Sequence, residues 1–213
     1  MARPSVKAER TEEILDAFER CVARLGVEGT TLERIAEESG LRRSLLRYHI
    51  GNRAEMVQAL ADRYIKSSRT EACKMLASMP ESETSSPLLD YLFIDIDEDQ
   101  RRKILVAEAL VSGADLYPEI KQRMNEWYSN FVMILCRIIN VDYPDADATA
   151  QREVAWGLIS LVFNVQMMAA LGGGDSVLKD SRRAAERLLL SLNGHRSKPE
   201  PEAKLEASEE LLA

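Results

Sequence analysis

The sequence predicts an all-α protein, and two observations carry that prediction. Apolar residues recur at three- and four-residue spacing through most of the chain, and no run sustains the alternation of a half-buried strand. Glycine, proline and N-capping residues cut this pattern into segments of helical length, as at Gly26, Ser39-Gly40, Gly51-Asn52 and Pro80. With 213 residues, 46% of them hydrophobic, the chain can bury a core in one domain or two small ones. No internal repeat stands out.

Taken in order, residues 1–8 read as a basic arm. Residues 9–25 carry Ile14, Leu15, Phe18, Cys21, Val22 and Leu25 on one helical face, and Gly26 stops the helix. Thr30 and Glu33 have the capping-box spacing, so a second helix starts there, with Leu32, Ile35 and Ala36 inward. Ser39-Gly40 ends it. A third short helix runs to Ile50 and buries Leu41, Leu46 and Ile50, leaving Arg42, Arg43, Ser44, Arg47 and Tyr48 outside. Asn52 and Glu55 repeat the capping pattern ahead of a long helix that reaches residue 79. Further helices are expected over 88–96, 101–113, 118–140, 148–171 and 176–192, with Gly172–Gly174 as a stop. Residues 195–213, rich in Pro, Glu and Lys, read as a disordered tail.

The formal net charge of -7 argues against nucleic acid, but its distribution does not. Residues 1–53 hold ten Lys/Arg and nine Asp/Glu, a net of +1, while the remainder holds eighteen and twenty-six, a net of -8. Between residues 41 and 53 there are four arginines and no carboxylate. The cysteines, Cys21, Cys73 and Cys136, are widely spaced with no CxxC, and each is expected as a buried small hydrophobe rather than a disulfide or zinc ligand. No signal peptide is evident, and the apolar run 154–171 is interrupted by Ser160, Asn164 and Gln166. A reduced, cytoplasmic protein is the expectation.

Residues 30–53, TTLERIAEESGLRRSLLRYHIGNR, organise the rest. Ala36, Gly40 and Leu46 fit two crossed helices: the alanine permits close approach, the glycine the turn, and the leucine closes the core. An ordinary helical hairpin with a solvated basic face has the same spacing. Concentrated arginine in an otherwise acidic chain favours DNA.

These residues, above all TTLERIAEESGL and LLRYHIGNRAEMVQAL, resemble the N-terminal domain of the tetracycline-repressor (TetR) family of transcription regulators. The match covers about residues 9–60. The resemblance implies a three-helix DNA-binding domain followed by a larger helical domain for ligand binding and dimerisation. It implies a homodimer that binds a near-palindromic operator and releases it on binding a small molecule. Carried over, Thr31 and Tyr48 contact phosphate and His49 lies near the DNA backbone. Arg53 holds the position of a basic residue at the start of the fourth helix, suited to a phosphate. Arg42, Arg43 and Ser44 face base edges, and arginine there favours guanine. Arg47 departs from the family, which commonly has tyrosine there; Leu45 replaces a small hydroxyl residue.

Other motifs are weaker. Asp95–Asp99 resembles the start of a calcium loop but lacks the glycine and the twelfth-position carboxylate. The same carboxylates have no second aspartate-rich partner for a magnesium-dependent enzyme. With two histidines, no catalytic or metal set assembles, so no enzymatic activity, cofactor or metal is expected. In the body, Glu108, Trp127, Phe131, Trp156, Phe163, Asn164 and Met167 are candidates to line an effector pocket, although for any one of them plain core packing is the favoured reading. The expected layout is DNA binding over 1–53, regulation and dimerisation over 54–194, and a tail over 195–213. The function this points to is a sequence-specific repressor released from a palindromic operator by an effector, or alternatively a constitutive or corepressor-dependent regulator without an inducer pocket.

Overall fold

The structure, a computed structural model, describes residues 6–171 and 175–194. Among them the helices are α1 (Val6–Gly29), α2 (Leu32–Ser39), α3 (Arg43–Ile50), α4 (Arg53–Ser78), α5 (Ser85–Leu92), α6 (Glu98–Ser112), α7 (Pro118–Asp142), α8 (Ala148–Ala170) and α9 (Asp175–Ser191). Short 3-10 turns occupy Ala114–Leu116 and Leu192–Gly194. No strand occurs among the described residues, and the all-α expectation holds. The readings placed on residues 1–5, Gly172–Gly174 and 195–213 lie outside the described residues.

The chain forms two compact units: residues 1–70 with 96–126, and residues 71–95 with 127–213. In the first unit α1 packs against α2, α3 and α6. Its core is built from Ile14, Phe18, Ile35, Leu46, Met56, Leu60 and Leu110, all essentially inaccessible to solvent. Gly26 breaks α1 with φ 70°, and one more helical turn follows before Gly29. That extra turn shifts the next cap. The cap expected at Thr30 is made by Thr31, whose Oγ1 accepts from the Arg34 amide at 3.4 Å. Thr30 is instead buried, and its hydroxyl donates to the Gly26 carbonyl at 2.8 Å. Gly40 closes α2 in the left-handed region, φ 69° and ψ 13°, which permits the sharp turn into α3.

The α3–α4 junction follows the sequence closely. The Glu55 amide donates to Asn52 Oδ1 at 3.1 Å, and the Asn52 amide donates to Glu55 Oε2 at 2.7 Å, a reciprocal capping box. Gly51 has φ 85°, and a Cβ there would collide with the Glu55 carboxylate. Gly51→Ala is therefore expected to cost about 1–2 kcal/mol from the left-handed backbone, plus the disturbed cap. Thermal unfolding measures it; an unchanged Tm would show that the junction relaxes freely.

The second unit packs α9 against α5 and α8 around Met75, Leu88, Phe93, Leu135, Ile138, Ala155, Leu158 and Leu189. Helix α5 starts earlier than the expected 88–96, because Asp142 captures its N-terminus, and it ends at Leu92. The Asp142 carboxylate accepts from the Thr84 amide at 3.0 Å, the Ser85 amide at 2.7 Å and the Ser85 hydroxyl at 2.5 Å. Burial alone would raise this carboxyl, but the Ser85 and Thr84 donors outweigh it and hold it below the ordinary carboxylate range. The acidic run before α6 also has a structural role. Asp97 caps that helix in a full capping box with Gln100, and Asp99 pairs with Arg102 and Lys103. Cys21 is buried as expected, Cys136 half-buried, and Cys73 exposed, because it falls on the outer side of α4. No described helix is long and apolar enough to cross a membrane.

Candidate nucleic-acid interface

Helix α3 has one buried face and one exposed face. Leu46 and Ile50 point into the first unit, four residues apart on the inner side. Arg42, Arg43, Ser44, Arg47 and Tyr48 are exposed, and Tyr48 is 74% accessible. The helix contains no carboxylate and carries Arg47 and His49 in its last turn, where positive charge suits the dipole. This eight-residue helix and its N-cap residue together offer three guanidinium groups, a hydroxyl and an aromatic ring to solvent. Arg42 stands at the N-cap and makes no side-chain capping bond there. The Tyr48 ring meets the His49 ring edge-on at 5.1 Å, and Lys7 Nζ lies 6.0 Å from the Tyr48 centroid. His49 is half-buried, and among the described residues its Nδ1 finds no hydrogen-bond partner.

Two side chains near this surface have partners that the sequence alone did not reveal. Arg43 pairs with Glu33, which reaches it from the first turn of α2. The Arg53 guanidinium turns inward, donating to the carbonyls of Thr30 and Val27, with its carbon 5.9 Å from the Phe18 ring centroid. It thereby ties the start of α4 to the connection between α1 and α2. Behind α2, Glu38 accepts from Arg20 at 2.6 Å and also pairs with Arg24, both on α1. That double contact holds the Glu38 carboxyl below its ordinary range. No spacing rule pairs residues that lie ten to twenty-six positions apart, so these contacts had no sequence signal.

The residues considered for an effector pocket are dispersed. Glu108 is half-buried on α6 in the first unit. In the second, Trp127 is buried and stacks on half-buried Phe131 at 5.8 Å. Phe163 meets Tyr128 at 5.7 Å but remains partly exposed, and Trp156, Asn164 and Met167 are exposed on α8. A cleft of about 310 Å³ in the first unit is lined by Asp16, Glu19, Arg63, Tyr64, Asp99, Arg102 and neighbouring side chains, and by none of these candidates. Its charges are largely paired: Arg63 with Glu12, Asp16 and Glu19, and Arg102 with Glu19 and Asp99.

No protein-family model matches the chain. Over 82 residues, 38% of the chain, it is 40% identical to the HTH-type transcriptional regulator TtgR of Pseudomonas putida, and equally to a protein of the same species described as "Probable HTH-type transcriptional regulator ArpR". The match spans 37% of the length of each relative. A TetR transcription regulator from Haloarcula marismortui has a similar structure, with a TM-score of 0.70 at 18% identity over 89% of this chain and 99% of that one. A Saccharomonospora viridis protein crystallised with choline is similar too, with a TM-score of 0.71 at 19% identity, covering 85% of this chain and 96% of that one. At such identities these structures speak for the fold. The resemblance read from residues 9–60 is borne out at the level of the fold, which is similar to that of TetR transcription regulators of known structure.

Proposed function

We propose that this chain is a sequence-specific DNA-binding transcription regulator, a homodimeric repressor released from a near-palindromic operator by a small-molecule effector. The exposed basic face of α3 supports it most: Arg42, Arg43, Ser44, Arg47 and Tyr48 on one surface, backed by buried Leu46 and Ile50. Residues 1–53 are assigned to DNA and residues 54–194 to regulation and dimerisation. Arg42, Arg43 and Ser44 enter the major groove, while Thr31, Arg47, Tyr48 and His49 lie toward the backbone. Arginine pairs with guanine N7 and O6, so the half-sites contain G.

A homodimer is supported by α8 and α9. Trp156, Phe163 and Met167 recur on one side of α8, Leu171 follows at its C-cap, and all four are exposed in the single chain, as is Leu190 on α9. An apolar stripe of this kind is what a self-complementary interface covers. Pairing α8 and α9 with their copies makes a four-helix contact and sets two α3 helices about 34 Å apart for successive major grooves. Effector control rests on the family resemblance, and the choline complex of the Saccharomonospora viridis protein shows a chain of this fold holding a small organic molecule. The effector favours a conformation of the helix from Arg53 that no longer matches the groove spacing, and DNA reciprocally weakens effector binding.

Selection of bound fragments from a genomic library, followed by band-shift at several salt concentrations, tests the reading. A recurring palindrome is expected; binding with no sequence preference overturns it. With the operator in hand, Arg43→Ala is expected to relax the preference at one base position by about 1–3 kcal/mol. Compounds that raise the Tm are then scored for release of that operator. If none releases it, the chain is a constitutive or corepressor-dependent regulator.

A further inference from the structure

The basic face of α3 has an acidic visitor. Glu33 sits in the first turn of α2, and its carboxylate crosses to the Arg43 guanidinium at the first turn of α3. Both side chains are more than half exposed, at 56% and 63%. The Glu33 carboxyl is held below the ordinary carboxylate range. Its own backbone amide is the leading cause, followed by the Arg43 guanidinium and the Thr31 hydroxyl. One carboxylate of α2 therefore holds an α3 arginine assigned to DNA contact.

A carboxylate here is costly if affinity alone matters. It lies beside the groups that would meet phosphates and repels them. An unpaired arginine would serve electrostatic binding better, since its long flexible side chain can swing to whichever phosphate is nearest. That freedom also blurs readout: bidentate contact with guanine needs the planar fork in one place. A guanidinium already fixed loses less entropy when it meets the correct base. The same carboxylate penalises sequence-independent binding, which is almost wholly electrostatic.

We infer that Glu33 is a specificity-determining positioning residue: it fixes the Arg43 guanidinium toward one base step and suppresses its use as a general phosphate contact. This rests on the DNA-binding function proposed above and adds how that surface discriminates.

The test compares wild type, Glu33→Gln, Arg43→Ala and the double variant. Glutamine is a good helix former and close to glutamate in size, so α2 is retained, and circular dichroism checks this. Glu33→Gln is expected to bind random duplex DNA several-fold more tightly, with a salt dependence steeper by about one charge. It is expected to lose on the order of tenfold discrimination at the base position that Arg43→Ala also relaxes. In the Arg43→Ala background, Glu33→Gln should no longer alter base preference. Glu33→Asp, which keeps the charge, should retain part of the selectivity. A purely structural Glu33 would instead lower the Tm and weaken all DNA equally, and that result overturns the inference. So does a Glu33→Gln selection profile identical to that of wild type. If wild type itself enriches no sequence, the DNA-binding function falls, and this inference with it.

Discussion

Trp156→Glu is expected to turn the dimer into a monomer and to weaken operator binding by a hundredfold or more. The size follows from symmetry. In a two-fold interface each α8 meets its copy, so one substitution buries two carboxylates. Each costs about 1–3 kcal/mol as a buried polar group left without a partner, and the like charges add to it. The monomer should fold normally, because Trp156 is 45% exposed in the single chain and its loss opens no internal cavity. Operator affinity falls because two half-sites no longer bind as one unit, which forfeits an effective-concentration advantage of about 10²–10⁴. Light scattering reports the mass, circular dichroism the helix content, and band-shift the affinity. A variant that stays dimeric and helical would remove α8 from the interface. If that dimer also ceased to respond to effector, Trp156 would return to the pocket for which its aromatic character first suggested it.

That ambiguity shows where the sequence stops informing. Along 148–171 apolar residues occur on nearly every side, so their spacing does not say which face is turned inward. The structure divides them: Ala155, Leu158 and Ile159 are buried, while Trp156, Phe163 and Met167 are exposed. The motif residues were legible because their reasons are local. Gly40 carries its turn, Leu46 and Ile50 their helical face, and Asn52 with Glu55 a cap four residues long. Even there, two adjacent threonines defeated the assignment of the α2 cap, since the extra turn after Gly26 decides which one faces the helix. Asp142 reaching Thr84 and Ser85, or Glu33 reaching Arg43, depends on where separate helices come to rest. A similar limit explains Cys73, whose exposure depends on which side of α4 the unit covers.

Arg53 puts the conflict between family resemblance and geometry into measurable form. The resemblance places a basic residue at the start of the fourth helix against a DNA phosphate. In the structure its two terminal nitrogens are engaged within the chain, on the Thr30 and Val27 carbonyls. Hydrogen bonds from a charged donor contribute about 1.5–3 kcal/mol, and these two close the α1–α2 connection over the start of α4. At about 2–4 °C per kcal/mol in a chain of this size, Arg53→Ala is therefore expected to lower the Tm by roughly 3–12 °C. Arg53→Lys separates the two roles. Lysine keeps the charge a phosphate needs but lacks the planar fork that spans two carbonyls. If the clamp dominates, Arg53→Lys should be nearly as destabilising as Arg53→Ala, and both variants should bind operator with the wild-type salt dependence once folded. If the phosphate contact dominates, Arg53→Lys should be as stable as wild type, and Arg53→Ala alone should flatten the salt dependence by about one charge. The geometry favours the first outcome, because a guanidinium holding two carbonyls must release at least one of them before it can grip a phosphate with both terminal nitrogens.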